Sequence, residues 1–186
     1  PRAIDTAMFS PAAVNADRVA VLRRAWGVLP QMRVVLIPGQ IAPWNYPYLT
    51  GINTIAPALM AGNAVVLKHA TQTLLVGERF QQAADASGLP RGLFHNLALD
   101  HKTTEALLSA GAVDFANFTG SVSGGKAIER AAAGSFTGLG LELGGKDPAY
   151  VCEDADVSRA VETLVDGAMY NSGQCCCGIE RIYVAE

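Results

Sequence analysis

The stretch Gly62-Asn63-Ala64-Val65-Val66-Leu67-Lys68 (residues 62–68) decides the fold. Four consecutive apolar residues follow a Gly-Asn stop signal and end at a lysine, which is typical of a short strand buried on both faces. Such strands occur in parallel sheets that helices cover, and a charged residue after the strand then lies at the carboxyl edge of the sheet. This stretch therefore predicts both the sheet and the edge where a ligand would bind.

Similar runs recur along the chain, with helical patterns between them. Strands are predicted at Val34–Ile37, Ala64–Leu67, Phe94–Leu97, Asp114–Phe118, Leu139–Leu143, Ala149–Val151 and Ile182–Val184. Helices are predicted at Ala12–Trp26, Tyr48–Met60, Leu74–Ser87, Thr103–Ala110, Gly125–Ala133 and Asp156–Tyr170. The second of these helices is apolar nearly all round, so we expect it to be buried. The alternation predicts an α/β fold, with a Rossmann-like parallel sheet that carries helices on both faces.

Composition narrows the class of protein. The 186 residues are 50% hydrophobic and 17% charged, which is enough apolar material for a core. The net charge of −3 comes with no basic stripe, so nucleic acid is not an expected partner. No apolar run approaches the roughly 18 to 20 residues of a membrane span, and no signal peptide is recognisable. Four cysteines fit a reducing compartment, and we expect a cytoplasmic protein.

Three consecutive cysteines, Cys175–Cys177, carry the strongest chemical signal. They follow Asn171–Gln174, and Glu142 lies upstream in Glu142-Leu143-Gly144-Gly145-Lys146. A thiol and a carboxylate are the two groups needed for covalent chemistry on a carbonyl followed by hydrolysis. Adjacent cysteines cannot surround a metal ion, so no metal is expected. The alternative reading is three small buried residues in a loop.

Three other features have both a chemical and an ordinary structural reading. The segment Phe118–Gly125 is a glycine-bearing turn between a strand and a helix, which can hold a phosphate or be a simple tight turn. Lys68 suits a ribose or a phosphate, although most lysines are solvated. Asn45 lies between Pro43 and Pro47, which stiffen its loop. A rigidly held amide is a good oxyanion donor, and the alternative is that Asn45 only forms a turn.

Five motifs together resemble the NAD(P)-dependent aldehyde dehydrogenase superfamily. They stand in the family's order: Pro43-Trp44-Asn45-Tyr46-Pro47, Gly62–Lys68, Phe118-Thr119-Gly120-Ser121, Glu142–Lys146 and Gly173-Gln174-Cys175-Cys176-Cys177. The resemblance runs from about Val34 to Glu186, whereas residues 1–32 do not match. It implies a partial dinucleotide-binding domain over 33–145, and the beginning of a second, catalytic α/β domain with the cysteine loop over 146–186.

The resemblance also implies roles for individual residues. The catalytic nucleophile is Cys176, which lies 34 residues after Glu142, the general base, and Asn45 is the side-chain half of the oxyanion hole. The implied cofactor contacts are Trp44, Lys68, Thr71, Gly120, Ser121, Gly125 and Leu143. NAD-preferring members often carry a glutamate at the position of Thr71, and threonine neither grips the ribose hydroxyls as strongly nor repels a 2′-phosphate. The expected cofactor is therefore NAD or NADP.

The implied activity is oxidation of an aldehyde to a carboxylic acid, with hydride transfer to NAD(P)+. The presence of Glu142 as a general base favours an enzyme that releases the acid by hydrolysis. CoA-acylating relatives use CoA in place of water and commonly lack this base. Members of the family are more than twice as long as this chain, so we expect it to be a piece of such an enzyme. The expected partners are a small aldehyde and further copies of the chain. The alternative is a catalytically inactive piece that acts only as a dinucleotide-binding or self-associating module.

Overall fold

The computed structural model describes residues 20, 21, 23, 24, 28, 29, 31, 33–37 and 43–186. The chain falls into two compact units, Pro1–Glu142 and Leu143–Glu186. Gly144 and Gly145 are the second and third residues of the second unit. Most of the helix predicted over Ala12–Trp26 lies outside the described residues.

The first unit is built on a five-stranded sheet. Its strands are β1 (Val34–Ile37), β2 (Ala64–Leu67), β3 (Phe94–Asn96), β4 (Phe115–Gly120) and β5 (Gly138–Leu143), in the order β3-β2-β1-β4-β5. β1 pairs in parallel with both β2 and β4, and β2 pairs in parallel with β3. The order reverses between β1 and β4, and the carboxyl ends of these two strands are where ligands of such sheets bind.

Helices α1 (Leu49–Met60), α2 (Leu74–Ala86), α3 (His101–Ser109) and α4 (Val122–Ala132) connect the strands. The predicted starts of α3 and α4 were two to three residues late. The reason is capping: the Asp100 side chain accepts from the backbone N–H of Thr103, and the Ser121 side chain accepts from that of Gly124. Each cap stabilises a first turn that the apolar pattern alone does not mark.

The core of this unit lies along the sheet. All four residues of β2 are buried, as expected for a strand that is covered on both faces. Helix α1 differs from the expectation of a buried helix, because only Gly51 and Ile55 are buried and the Met60 side chain is 88% exposed. Its apolar composition predicted helix correctly but did not indicate how much of its surface the sheet covers.

The second unit is a β-α-β arrangement. Strands β6 (Asp147–Val151) and β7 (Ile179–Val184) pair in parallel, and helix α5 (Val157–Met169) lies between them in sequence. Asp156 caps α5 by accepting from the backbone N–H of Arg159 at 3.1 Å. No residue of α5 is buried. Both strands begin earlier than the apolar runs predicted. Their pairing starts at Asp147 and Ile179 and includes polar residues such as Arg181, which the apolar pattern does not mark.

No helix in the described part of the chain combines the length and the apolarity needed to span a bilayer.

Asp114 fixes the start of the central strands of the first unit. Its Oδ2 accepts a hydrogen bond from the backbone N–H of Val34 at 2.6 Å and one from Arg23 Nη1 at 3.1 Å. The carboxylate therefore joins the residue before β4 to the beginning of β1. Hydrogen bonds to charged groups contribute more than neutral ones.

We expect Asp114→Ala to lower the free energy of unfolding by about 1.5–3 kcal/mol, because it removes a charge-assisted hydrogen bond to a buried strand. Urea unfolding followed by circular dichroism measures this change. Asp154→Ala is the matched control, since Asp154 is exposed in the turn after β6. Equal unfolding midpoints for the two variants would contradict the assigned role of Asp114.

Candidate functional site

The loop after β1 holds Trp44 and Asn45. The backbone N–H of Tyr46 donates to the carbonyl of Pro43 at 2.9 Å, which closes a turn around the two residues. Trp44 is 45% exposed, and Asn45 is half-buried. Because Pro43 and Pro47 bracket this turn and Leu49 begins α1, the loop has little conformational freedom, as an oxyanion donor requires.

Lys68 directly follows β2 and is 1% exposed, so the common alternative of a solvated lysine does not hold. Burial lowers the pKa of its ammonium group, and the negative charge of Asp100 acts in the opposite direction. Thr71, three residues later, begins a short 3₁₀ helix (Thr71–Thr73) and is exposed. A buried cation and an exposed hydroxyl thus follow the same strand.

His69 belongs to this region and was not identified from the sequence. Its ring lies 3.3 Å from the carbonyl oxygen of Pro47, through Nε2, and 3.0 Å from Thr73 Oγ1, through Nδ1. Burial lowers the pKa of His69, whereas hydrogen bonds to the backbone at Pro47 and Ala70 oppose this shift. The only sequence signal was a histidine next to the lysine at a strand end.

The turn from β4 to α4 carries the glycine-bearing motif. Gly120 ends β4, and Ser121 Oγ accepts from the Gly124 N–H at 3.1 Å and lies 3.0 Å from Ser123 Oγ. A Cβ at Gly124 would lie 2.6 Å from Phe118 Cζ, so this turn has no room for a side chain there. Gly125 is buried in the first turn. The exposed amino end of α4 therefore presents backbone N–H groups and the positive end of a helix dipole.

Glu142 and Leu143 lie at the end of β5. The Glu142 side chain is exposed, and Leu143 is half-buried. Glu142 is the last residue of the first unit, and Leu143 is the first residue of the second.

The cysteine segment belongs to the second unit. Asn171, Ser172 and Gly173 have φ values of 51°, 59° and 73°, a left-handed region that is sparsely populated by residues other than glycine. Cys175 is half-buried, and the side chains of Cys176 and Cys177 are exposed on a turn. The pKa of Cys177 is raised, first by the neighbouring Cys176 and then by burial. A raised pKa reduces the thiolate fraction of Cys177.

The structure brings together the candidate residues of the first unit only in part. Lys68 and Thr71 follow β2, Gly120 is the last residue of β4, and Ser121 comes directly after it. Because β1 lies between β2 and β4 in the sheet, these four residues flank the carboxyl end of β1. The ring of His69 connects the Asn45 loop to the Thr71–Thr73 turn. Cys176 and Leu143 lie in the other unit. A groove of about 480 Å³ lies at the opposite, amino ends of β1 and β4, and no candidate residue lines it.

Comparison with known proteins agrees with the motifs. The sequence model of the aldehyde dehydrogenase family matches residues 18–186, and so begins earlier than the motifs indicated. Lactaldehyde dehydrogenase of Escherichia coli (strain K12) is 44% identical over 170 residues, which cover 90% of this chain and 33% of that protein. Betaine aldehyde dehydrogenase of Bacillus subtilis (strain 168) is 39% identical over 150 residues, which cover 80% of this chain and 30% of that protein.

Solved structures show the same likeness. The crystal structure of lactaldehyde dehydrogenase from Escherichia coli superimposes with a TM-score of 0.73 at 38% identity, covering 81% of this chain and 31% of that one. The structure of 3,6-anhydro-L-galactose dehydrogenase in complex with NAP gives a TM-score of 0.75 at 33% identity, covering 84% and 32%. The chain spans about a third of the length of the curated relatives it matches. Because the family match covers 18–186 and the fold agrees, the chain belongs to the aldehyde dehydrogenase family.

Proposed function

We propose that this chain carries the cofactor-binding and nucleophile segments of an NAD(P)-dependent aldehyde dehydrogenase that oxidises an aldehyde to a carboxylic acid. The observation that carries the proposal is the family match over 18–186, which spans both the Lys68 strand end and the cysteine turn. The exposed thiol of Cys176 supports it, because a nucleophile must be accessible to its substrate.

The chain's own residues would act in sequence on the aldehyde. The Cys176 thiolate attacks the carbonyl carbon, and the Asn45 amide together with the Cys176 backbone N–H stabilises the resulting oxyanion. One such donor is typically worth about 3–4 kcal/mol in the transition state. Once the adduct on Cys176 has lost its hydride, Glu142 activates the water that hydrolyses the thioester and releases the acid.

The residues at the carboxyl edge of the sheet fit a dinucleotide. The amino end of α4, capped by Ser121, suits a pyrophosphate, and Gly124 allows the close turn that this needs. The resemblance assigns Lys68 to a ribose hydroxyl or a phosphate and Trp44 to an aromatic wall. Gly120, Gly125 and Leu143 complete the expected set. When bound, NAD(P)+ supplies the hydride acceptor.

Thr71 should leave the cofactor preference weak. We expect the affinities for NAD+ and NADP+ to lie within about tenfold of each other, and Thr71→Glu to weaken NADP+ binding by at least about tenfold through like-charge repulsion. Isothermal titration calorimetry with both dinucleotides measures this effect. Gln72→Glu is the control, since it places the same charge on the next exposed residue. A hundredfold preference of the parent chain for NAD+ would show that this interpretation of Thr71 is wrong.

The labelling order of the cysteines tests the nucleophile. Brief alkylation with substoichiometric iodoacetamide, read by mass spectrometry, should label Cys176 first. Cys177 should react more slowly because of its raised pKa, and Cys175 because it is half-buried. Cys152 is exposed and distant in sequence, so it serves as the internal reference. Preferential labelling of Cys152, or equal labelling of the three neighbours, would count against Cys176.

A second candidate function is that of an inactive module that binds a dinucleotide or associates with itself. The observation that favours it is the exposure of apolar side chains on α5, where Val157 is 70% and Met169 is 68% exposed. Homo-oligomerisation is part of our proposal for the same reason, and a cytoplasmic location stays a prediction from cysteine use. Dinucleotide binding without any preferred labelling of Cys176 would favour the module over the enzyme.

A further inference from the structure

A single buried imidazole connects two segments to which the proposed function assigns different tasks. His69 is 1% exposed. It lies 3.3 Å from the carbonyl oxygen of Pro47 and 3.0 Å from the hydroxyl of Thr73. Pro47 is 22 residues away in sequence, in the loop that follows β1, whereas Thr73 belongs to the turn that follows β2.

The chemistry of the two partners determines the direction of both hydrogen bonds. A carbonyl oxygen can only accept, so Nε2 carries the hydrogen and donates to Pro47. In the neutral ring Nδ1 then accepts, and the Thr73 hydroxyl donates to it. Burial favours this neutral form, since it lowers the pKa of His69, and the positive charge of Lys68 acts in the same direction. Both ring nitrogens are therefore used, and each holds a different segment.

The two segments carry the groups that must act together. Pro47 directly follows the Pro43–Tyr46 turn, which contains Trp44 and Asn45. Thr73 ends the 3₁₀ helix that Thr71 begins, and Lys68 is the residue before His69. A shift of either hydrogen bond would therefore move the oxyanion donor relative to the ribose-binding residues. Displacements of about 1 Å at such groups are sufficient to reduce catalysis strongly.

We propose that His69 is a positioning residue that holds the Trp44–Asn45 loop in register with the Lys68–Thr71 segment. The roles of Asn45 and Lys68 in this statement rest on the proposed function, but the connection itself rests on the two contacts of the ring. The competing interpretation is a buried histidine that only adds stability. The two differ in one respect, because only a positioning residue controls the local order of the Trp44 loop in the folded protein.

Trp44 allows that order to be measured. The chain has two tryptophans, so Trp26→Phe leaves Trp44 as the only one. In this background we compare His69→Phe, which removes both hydrogen bonds but keeps a ring, with Thr73→Val, which removes only the hydroxyl. His69→Gln is the conservative variant, since its amide offers one donor and one acceptor. His101→Gln is the control at an exposed histidine.

Two readouts are taken at a temperature at which circular dichroism shows every compared variant folded: acrylamide quenching of Trp44 and calorimetric affinity for NAD+. We expect His69→Phe to increase quenching clearly and to weaken NAD+ binding by about tenfold. Thr73→Val should have a smaller effect in the same direction. His69→Gln should lie close to the parent, and His101→Gln should coincide with it.

The proposal is overturned if His69→Phe lowers the unfolding temperature while its quenching curve coincides with that of the parent. If His69→Phe does not fold, Thr73→Val decides in its place: unchanged quenching overturns the proposal, and increased quenching supports it. Absence of NAD+ binding by the parent chain is a separate result. It would count against the proposed function, whereas the quenching comparison would still decide the role of His69.

Discussion

We expect the 186-residue chain to oxidise a simple aldehyde with a turnover number at least about a thousandfold below the range of roughly 1–10³ s⁻¹ that is typical of enzymes. It carries the proposed nucleophile Cys176, the base Glu142 and the oxyanion donor Asn45. Hydride transfer also needs the nicotinamide fixed against the adduct, and such orientation can supply roughly 7–11 kcal/mol of barrier lowering. The chain spans about a third of the length of the curated relatives it matches, and we expect these 186 residues not to supply all of that orientation.

Exposure of the cysteine turn points to the same result. The Cys176 side chain lies on a turn and is accessible to water. Water raises the local dielectric constant, so a charge that develops on an adduct at this thiol gains less from any fixed hydrogen-bond donor. The measurement is NAD(P)H absorbance with a panel of small aldehydes, and Cys152→Ala is the control for removal of an exposed thiol. Turnover at an ordinary rate that is lost in Cys176→Ala but kept in Cys152→Ala would show that the chain is a complete catalyst.

Strand β2 of the first unit could be predicted because it is buried on both faces. Val65 and Leu67 are fully buried, and an uninterrupted apolar run is how such a strand appears in sequence. The ends of the helices were predicted less well. Asp100 and Ser121 determine the starts of α3 and α4 through side-chain hydrogen bonds, and a reading based on apolar spacing passes over these polar residues.

Other features depend on contacts between distant segments and leave no local pattern. The contact of His69 with Pro47 joins residues 22 apart, and nothing in the sequence around either residue indicates it. The burial of Lys68 is similar, since the neighbouring strands and loops decide whether a lysine at a strand end is solvated. Exposure of α1 and α5 could not be predicted either, because the apolar residues of a helix do not indicate how much of its surface the neighbouring elements cover.

The second unit is expected to exchange its backbone amides at least about a hundredfold faster than strands β2 and β4 of the first unit, a difference of roughly 3 kcal/mol in opening free energy. In the first unit Val34, Val65, Leu107 and Leu108 are fully buried and form a core. In the second unit α5 has no buried residue, and a two-stranded sheet is only marginally stable by itself. Helix α5 is covered only in part, at half-buried residues such as Leu164 and where Gly167 packs against Ile179, so it contributes less to the free energy of unfolding than a buried helix would.

Hydrogen–deuterium exchange read by mass spectrometry on peptides from β2, β4, α5 and β7 tests this difference. Val161→Asp on α5 should leave the protection of β2 unchanged, because Val161 is 54% exposed and its replacement removes little packing. Val65→Ala should lower the protection of β2, since it opens a cavity in the core. Equal slow exchange in both units, together with loss of protection in α5 on Val161→Asp, would mean that α5 is packed in solution. The second unit would then be stabilised by contacts such as those of self-association, and the Cys176 turn would be held more rigidly than its exposure indicates.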